Sequence, residues 1–505
     1  MSTIDRNRIA INTLMLYLRM GVVLLISLYT SRVVLDVLGE TDMGIYNAVG
    51  GLVAMATFIS GTLSSACQRF FLIEMGEGRR IGLRNSFCMF LQMFAALAIL
   101  VIAVGEPAGL WFLNNKMLLA GRSEAANWVF HLSIVSFVFV VIRLPYQGMV
   151  VAREKMKAFA YIGVFEAVGA LAIALMLGRS SADHLVVYAV LMLGIQVVVT
   201  LLYMAYCLMY FNECRYKFHW DADYFKKIFS FSGWWMIGAA SAVFKVHGLN
   251  VLLNMFFGPA VNAARGMAFK VYGAIVQLQE NFMLASKPQI IKSYSNGEYG
   301  EMTRLIWQAS KYSAYLMLLV AIPAVLEIDF LLGIWLKEVP QYTAIFAVLM
   351  LVEALIGYID YPVQSAISAT GKIKWYQIVV GFISLIFLSG SYLMLKLGQF
   401  PPQSVFYVSI AIACLAVIVK LYFGWKLVGI DPWEFSLKAI LPVFFVMVLG
   451  VASGHVVKSA MDQGWLRLVL VTVASTMTLV FSVLSFGMTS KERGTVLKRI
   501  RQFIS

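Results

Sequence analysis

Runs of about 20 apolar residues recur along the chain, separated by short polar connections, and a run of that length crosses a hydrocarbon core as an α-helix. The pattern predicts spans near 12–35, 45–72, 86–113, 126–150, 158–178, 185–210, 231–257, 261–285, 305–333, 343–369, 375–397, 404–427, 435–457 and 465–487, about fourteen in number. The runs are continuously apolar rather than strictly alternating, so helices are expected and a β-barrel is not. The expected fold is all-α and integral to a membrane.

Composition agrees. Of 505 residues, 61% are hydrophobic and 13% charged, about half the charged share of a soluble domain. Arg6 and Arg8 lead straight into a full-length span, with no cleavage site after a short apolar core, so a cleavable signal is not expected. Cys67, Cys88, Cys207, Cys214 and Cys414 are scattered, without zinc-like spacing or a disulfide framework. No cofactor or metal is expected.

The net charge is +14. Its distribution points away from nucleic acid and toward topology. Numbered from a cytoplasmic N-terminus, the connections expected outside hold only Lys116, Arg122, Arg179, Lys337, Lys396 and Lys458. Those expected inside hold four times as many lysines and arginines, alternating loop by loop as the positive-inside rule requires. The expectation is a multi-pass protein of a bacterial inner membrane with both termini cytoplasmic. Most of these charges meet lipid headgroups.

An internal repeat runs through the spans. Pro145 and Gln147 precede Lys155 and Lys157, and the same P-x-Q-x7-K-x-K spacing returns at Pro362, Gln364, Lys372 and Lys374, 217 positions on. Trp111 and Leu113 close the third span as Trp335 and Leu336 close the ninth, 224 positions later. Leu38 and Gly39 match Phe257 and Gly258, 219 positions later. Six spans separate equivalent elements. Six is even, so the halves share orientation and are expected to be related by a pseudo-twofold along the membrane normal. The expected organisation is an N-lobe over 1–212, an interfacial linker over 213–230, a C-lobe over 231–428, two appended spans over 429–488 and a basic tail over 489–505. Matched six-helix lobes suit alternating access.

Ionisable groups inside spans are functional candidates because burying them in lipid costs several kcal/mol. Here they are mostly cations: Arg19, Arg32, Arg69, Arg143, Lys245, Arg265, Lys270, Lys311 and Lys420, against Glu166, Glu280, Glu353 and Asp360. A cationic lining suits an anionic cargo such as a phosphate. In the eighth span Asn262, Gly266, Lys270, Gly273, Gln277 and Asn281 follow at steps of three and four, forming one polar or small face. His247, Asn250 and Asn254 do the same in the seventh. Small and amide residues at these positions also suit a helix–helix interface. Lys245 falls about 200° around its helix from His247, on another face. Arg32 has Asp36 one turn ahead for a local ion pair. Arg19, Lys311 and Lys420 are placed to snorkel, and Arg69 and Arg143 to anchor at helix ends. His131 and His247 lack ligand partners and are read as packed. Glu166, Glu353 and Asp360 are carboxylates able to couple transport to Na+ or H+, or to neutralise nearby lysines. No P-loop, H-E-x-x-H or G-x-S-x-G occurs, which argues against a built-in ATPase or hydrolase and leaves a gradient as the energy source.

The turn LGETDMGIYNAVGG, the helix end GTLSSACQRFF and the closing W-x-L of the third span and W-L of the ninth resemble those of polysaccharide transporters. More closely, the chain resembles the bacterial O-antigen and capsular oligosaccharide flippases of the multidrug/oligosaccharidyl-lipid/polysaccharide exporter superfamily. The resemblance covers roughly 10–430 in span number and repeat order. It implies two six-helix lobes around a V-shaped cavity that rocks between inward- and outward-open states. It implies oligosaccharide on an undecaprenyl pyrophosphate carrier as cargo, for lipopolysaccharide, capsule or exopolysaccharide assembly, with other assembly proteins as partners. Cavity cations of the first, second, seventh and eighth helices hold the pyrophosphate in that family, and Arg32, Arg265 and Lys270 match best, with Arg19, Lys245, Asn250, Asn254, Asn262 and Gln277 beside them. One rival is a MATE-like multidrug exporter, whose cationic cargo calls for cavity carboxylates. Another, from a different class, is a membrane polymerase or ligase enzyme, which would carry a sizeable outer loop that is missing here.

Overall fold

A computed structural model describes residues 3–76, 80–179, 181–489 and 492–494. Arg79, Lys491 and the tail beyond 494 lie outside them, as do the side chains of Arg6, Arg8 and Asn281. Most of the described residues are helical, with no strand among them. The helices are α1 (Thr3–Ala54), α2 (Thr57–Gly76), α3 (Arg80–Leu100), α4 (Glu106–Lys116), α5 (Ser123–Ala152), α6 (Met156–Leu177) and α7 (His184–Tyr210), then α8 (Ala222–Phe257) and α9 (Pro259–Ser295). After them come α10 (Tyr299–Leu326), α11 (Ile328–Trp335), α12 (Thr343–Ile359), α13 (Tyr361–Ala369), α14 (Lys374–Leu397) and α15 (Ser404–Val428). The last are α16 (Pro432–Phe435), α17 (Leu441–Ser459) and α18 (Trp465–Ser482).

Among the described residues, twelve segments are long and apolar enough to cross a membrane. The two expected spans missing from that set have physical reasons. The second is broken by a turn at Met55 and Ala56, between α1 and α2. The eighth, α9, is continuous, but Asn262, Lys270, Gln277 and Glu280 lower its apolar character. Other expected spans also carry breaks. A π-turn over Val101–Gly105 joins α3 to α4. Asp360 interrupts the tenth span between α12 and α13. There Pro362 has no N–H for the carbonyl four residues back, and its ring disfavours helix before it.

The repeat is visible in the backbone. Helix starts recur at near-constant spacing: Arg80 and Tyr299 are 219 apart, Ser123 and Thr343 are 220 apart, and His184 and Ser404 are 220 apart. Gly39 and Gly258 adopt nearly the same conformation, φ 71 and ψ 175 against φ 81 and ψ −175. That region is open essentially only to glycine. Glu154 (φ 54) and Gly371 (φ 71) both turn left-handed just before the K-x-K pairs.

Packing groups the chain into two compact units, residues 1–266 with 384–398, and residues 267–383 with 399–505. This division differs from the repeat-based lobes because α8 packs on α1 and α2, as in the Phe58–Phe244 ring pair. In the first unit, Phe71, Phe87, Phe90 and Tyr146 form an aromatic core with centroids 5.1 to 6.1 Å apart. The stretch expected as an interfacial linker runs directly into α8, whose N-terminus is capped by Asp221.

In the second unit α10 packs on α12, α17 and α18. The appended helices are tied to the junction of α10 and α11: Arg467 pairs with buried Glu327 at 2.8 Å, and Lys458 Nζ donates to Leu326 O. Lys311 is 4% exposed and pairs with Glu492 at 3.0 Å. It does not snorkel, because a partner is within reach where it stands.

Candidate functional site

Polar side chains of three helical stretches in the first unit converge. After Gly39, α1 carries Gly44, Asn47 and Gly51 at helical spacing. Helix α8 supplies His247, Asn250 and Asn254, and the start of α9 supplies Asn262, Arg265 and Gly266. The small residues permit the approach. A Cβ on Gly44 would lie 1.9 Å from the Pro259 carbonyl oxygen, and one on Gly266 would lie 2.4 Å from Asn47 Nδ2. A Cβ on Gly51 would lie 3.0 Å from Asn250 Nδ2.

Arg265, 4% exposed, donates to Asn250 Oδ1 and, at 2.8 Å, to Val246 O. Asn262 donates to Gly44 O at 3.4 Å, and Asn254 accepts from Leu118 N–H at 3.0 Å. Both are fully buried. Asn47 Nδ2, His247 Nδ1, Asn254 Nδ2 and Asn262 Oδ1 are buried without a hydrogen-bond partner among the described residues. Buried polar atoms are rarely left so, and four in one place make a junction with capacity for water or a ligand's polar atoms. Sequence reasoning did not single out Asn47. Its signal was present in the Gly44, Asn47, Gly51 spacing, read there only as a turn.

The other expected site residues stand elsewhere. Arg19 lies within the first unit, its guanidinium carbon 4.3 Å above the Phe159 ring. Gly163 opens the slot, since a Cβ there would sit 2.3 Å from Arg19 Nε. Lys245 Nζ lies 5.5 Å from the Phe387 ring centroid. Arg32 is half-buried and Asp36 exposed. No ion pair between the two is among the described contacts. Glu166 accepts from Gln196 at 3.0 Å and pairs with Arg143 at 3.6 Å. Arg143, 11% exposed, is thus held by a carboxylate instead of anchoring at the surface. Lys270, Gln277 and Glu353 are half-buried in the second unit. Lys270 is five residues beyond Arg265 on α9, about 140° around the helix, so they face apart. Asp360, fully buried, pairs with Lys420 at 3.2 Å, which keeps Lys420 from snorkelling.

A second cluster escaped the sequence reading. Arg122 Nε and one terminal nitrogen bind Asp42 at 2.9 and 2.8 Å, and the guanidinium also binds Asp183 at 2.8 Å. It joins three connections expected on one side of the membrane. Asp183 caps α7 by accepting from Leu185 and Val186 N–H. Burial pushes the Asp183 carboxyl up, but hydrogen bonds from Arg122 and from the Val186 amide outweigh it and hold it below the usual carboxylate range. Hydrogen bonds to Asp183 and Asp42 raise the Arg122 guanidinium in turn. His131 Nδ1 meets Glu106 at 2.5 Å with its side chain 43% exposed, a polar contact where the sequence suggested packing.

No family model and no curated protein matches the sequence. Solved structures match the fold. A lipid II flippase MurJ in an inward closed conformation has a TM-score of 0.64 at 10% identity, covering 93% of this chain and 98% of that one. A multidrug resistance MATE family transporter of the MOP superfamily, inward-facing, has 0.64 at 14% identity, covering 81% of this chain and 97% of that one. An outward-facing structure of such a transporter has 0.59 at 15% identity, covering 84% and 95%. At these identities the likeness is one of fold: the chain shares its helical architecture with these solved structures.

Proposed function

We propose that this chain is a flippase that carries undecaprenyl-pyrophosphate-linked oligosaccharide across the bacterial inner membrane by alternating access, for O-antigen, capsule or exopolysaccharide assembly. The lobes read from the repeat, 1–212 and 231–428, would be the moving bodies, and the termini would be cytoplasmic. The observation that carries the reading is the fate of the embedded carboxylates. Glu166 is engaged by Arg143 and Gln196, and Asp360 by Lys420. An exporter of cationic drugs would need such carboxylates open to its cargo. Each pair takes one cation with one carboxylate, so the excess of embedded cations over carboxylates, nine against four, is kept and favours an anionic cargo.

Length supports the same choice. The lipid II flippase matches 93% of this chain, the MATE transporters 81% and 84%. The difference is about a tenth of the chain, about two helices, as the appended spans would require. Arg32, Arg265 and Lys270 are the residues assigned to the pyrophosphate, with Arg19, Lys245, Asn250, Asn254, Asn262 and Gln277 around them. Glu166, Glu353 and Asp360 are the carboxylates assigned to coupling by Na+ or H+. Membrane lipids surround the chain, and other assembly proteins would receive the cargo.

The test is reconstitution into vesicles holding a lipid-linked oligosaccharide, with translocation measured with and without ion gradients. Translocation that fails without the protein and falls in Lys270→Ala supports the reading. Efflux of cationic drugs without movement of the lipid-linked sugar would overturn it.

A further inference from the structure

Arg84, Arg153 and Lys155 line one cavity of about 640 Å³ in the first unit, away from the junction around Arg265. It lies where the start of α3, the α5–α6 turn and the end of α7 meet, with Ile81, Tyr210, Phe211 and Glu213 completing its wall. Three cations face one carboxylate. Glu213 is held by Arg153 at 2.8 Å, and the Arg153 guanidinium lies 5.7 Å from the Phe211 ring centroid. Arg84 uses only its Nε, donating to Arg215 O at 3.2 Å. Among the described residues no other hydrogen bond or ion pair engages the Arg84 side chain, and none engages Lys155 Nζ. The cavity therefore keeps two positive charges with unused donors. Glu154, left-handed at φ 54, makes the tight turn between Arg153 and Lys155, and Lys155 N–H closes it on Val150 O at 3.0 Å.

The rim is apolar and open. Ile81 is 78% exposed and Tyr210 is 65% exposed. Cations beside exposed apolar and aromatic side chains at the ends of spanning helices mark headgroup depth. A soluble phosphate needs the cations alone, whereas a lipid needs both. We propose that this cavity binds the phosphate of an anionic membrane lipid on Arg84 and Lys155, with its chains against Ile81 and Tyr210. The site is independent of what the chain carries.

The test uses the purified full chain in mixed micelles containing phosphatidylglycerol or phosphatidylcholine, with retained lipids counted by native mass spectrometry. Phosphatidylglycerol is retained in preference, and the preference falls about fivefold for each of Arg84→Gln and Lys155→Gln. Lys396→Gln, at the far end of α14, leaves it unchanged. Equal retention of both lipids overturns the proposal, as does a preference that survives the double variant or falls equally in Lys396→Gln. Displacement of phosphatidylglycerol by inorganic phosphate at equal concentration would reassign the cavity to a soluble anion.

Discussion

Asp360 and Lys420 form an ion pair at 3.2 Å, with the carboxylate wholly inaccessible and the lysine 13% exposed. The position equivalent to Asp360 in the first half carries the opposite charge. Arg143 stands 217 residues before Asp360, each two positions ahead of the motif proline, and pairs with Glu166. The repeat thus preserves the place of one embedded charge while reversing its sign, and each half supplies the partner from a different helix, Glu166 from α6 and Lys420 from α15. Removing one partner leaves the other as an uncompensated buried charge, which costs about 3–5 kcal/mol. We expect Asp360→Asn and Lys420→Met each to lower the thermal midpoint in detergent strongly, and the double variant to recover most of the loss. Additive losses in the double variant would show that the pair is not coupled.

Arg122 contributes less because its surroundings are wetter. Its side chain is 34% exposed, and Asp183 is 35% exposed. Exposed pairs are worth about 1 kcal/mol or less, although bidentate geometry on Asp42 favours the upper end. The sign of the pH dependence follows from Asp183, whose carboxyl is held below its ordinary range. Its contribution is complete above the unfolded-state value of about 4 and is lost as pH falls through the lowered folded-state value. The melting difference between wild type and Arg122→Ala should therefore be constant near neutrality and shrink in acid below about pH 4. A difference that grows on acidification contradicts this assignment.

How much of this was legible depends on range. The spans were legible because a 20-residue apolar run is a local signal, and the backbone at Gly39 and Gly258 bears out the repeat read from Leu38-Gly39 and Phe257-Gly258. The partners of embedded charges were not. Arg122 meets Asp42 and Asp183 across 80 and 61 residues, and Lys420 meets Asp360 across 60. Hydropathy marks such a charge as costly without saying what compensates it. Helical periodicity found the polar faces of α8 and α9, but periodicity names a face and not what it faces. The bonds of Arg265 to Asn250 and Val246 O of α8 are of this kind, invisible to periodicity. The break at Asp360 had a local cause in Pro362, whereas Pro145 lies within unbroken α5.

The Gly44 contact predicts an ordering among glycine variants. In Gly44→Ala the new methyl meets the Pro259 backbone carbonyl, which cannot rotate away. In Gly266→Ala it meets the end of the Asn47 side chain, which can. At Gly50 nothing lies within 4 Å. Overpacking costs about 1–3 kcal/mol where side chains yield, so Gly266→Ala should fall in that range, Gly44→Ala should exceed it, and Gly50→Ala should be near neutral. Thermal midpoints of the three variants check the order, and equal midpoints would refute the close approach of α1 to Pro259.

Arg265 and Lys270 should separate in their effects. Arg265 ties α9 to α8 through Asn250 and Val246 O. Its replacement by Ala removes charge-assisted hydrogen bonds inside a buried junction, worth about 1.5–3 kcal/mol. The variant should lose stability and translocation together, and Arg265→Lys should restore only part of each because an ammonium lacks the fork geometry. Lys270 sits half-buried on the opposite face. Lys270→Ala should keep the melting midpoint and lower translocation of the lipid-linked oligosaccharide about tenfold or more, as loss of one charged contact to a phosphate predicts. A Lys270→Ala protein that translocates normally would remove Lys270 from the site, whatever Arg265 does.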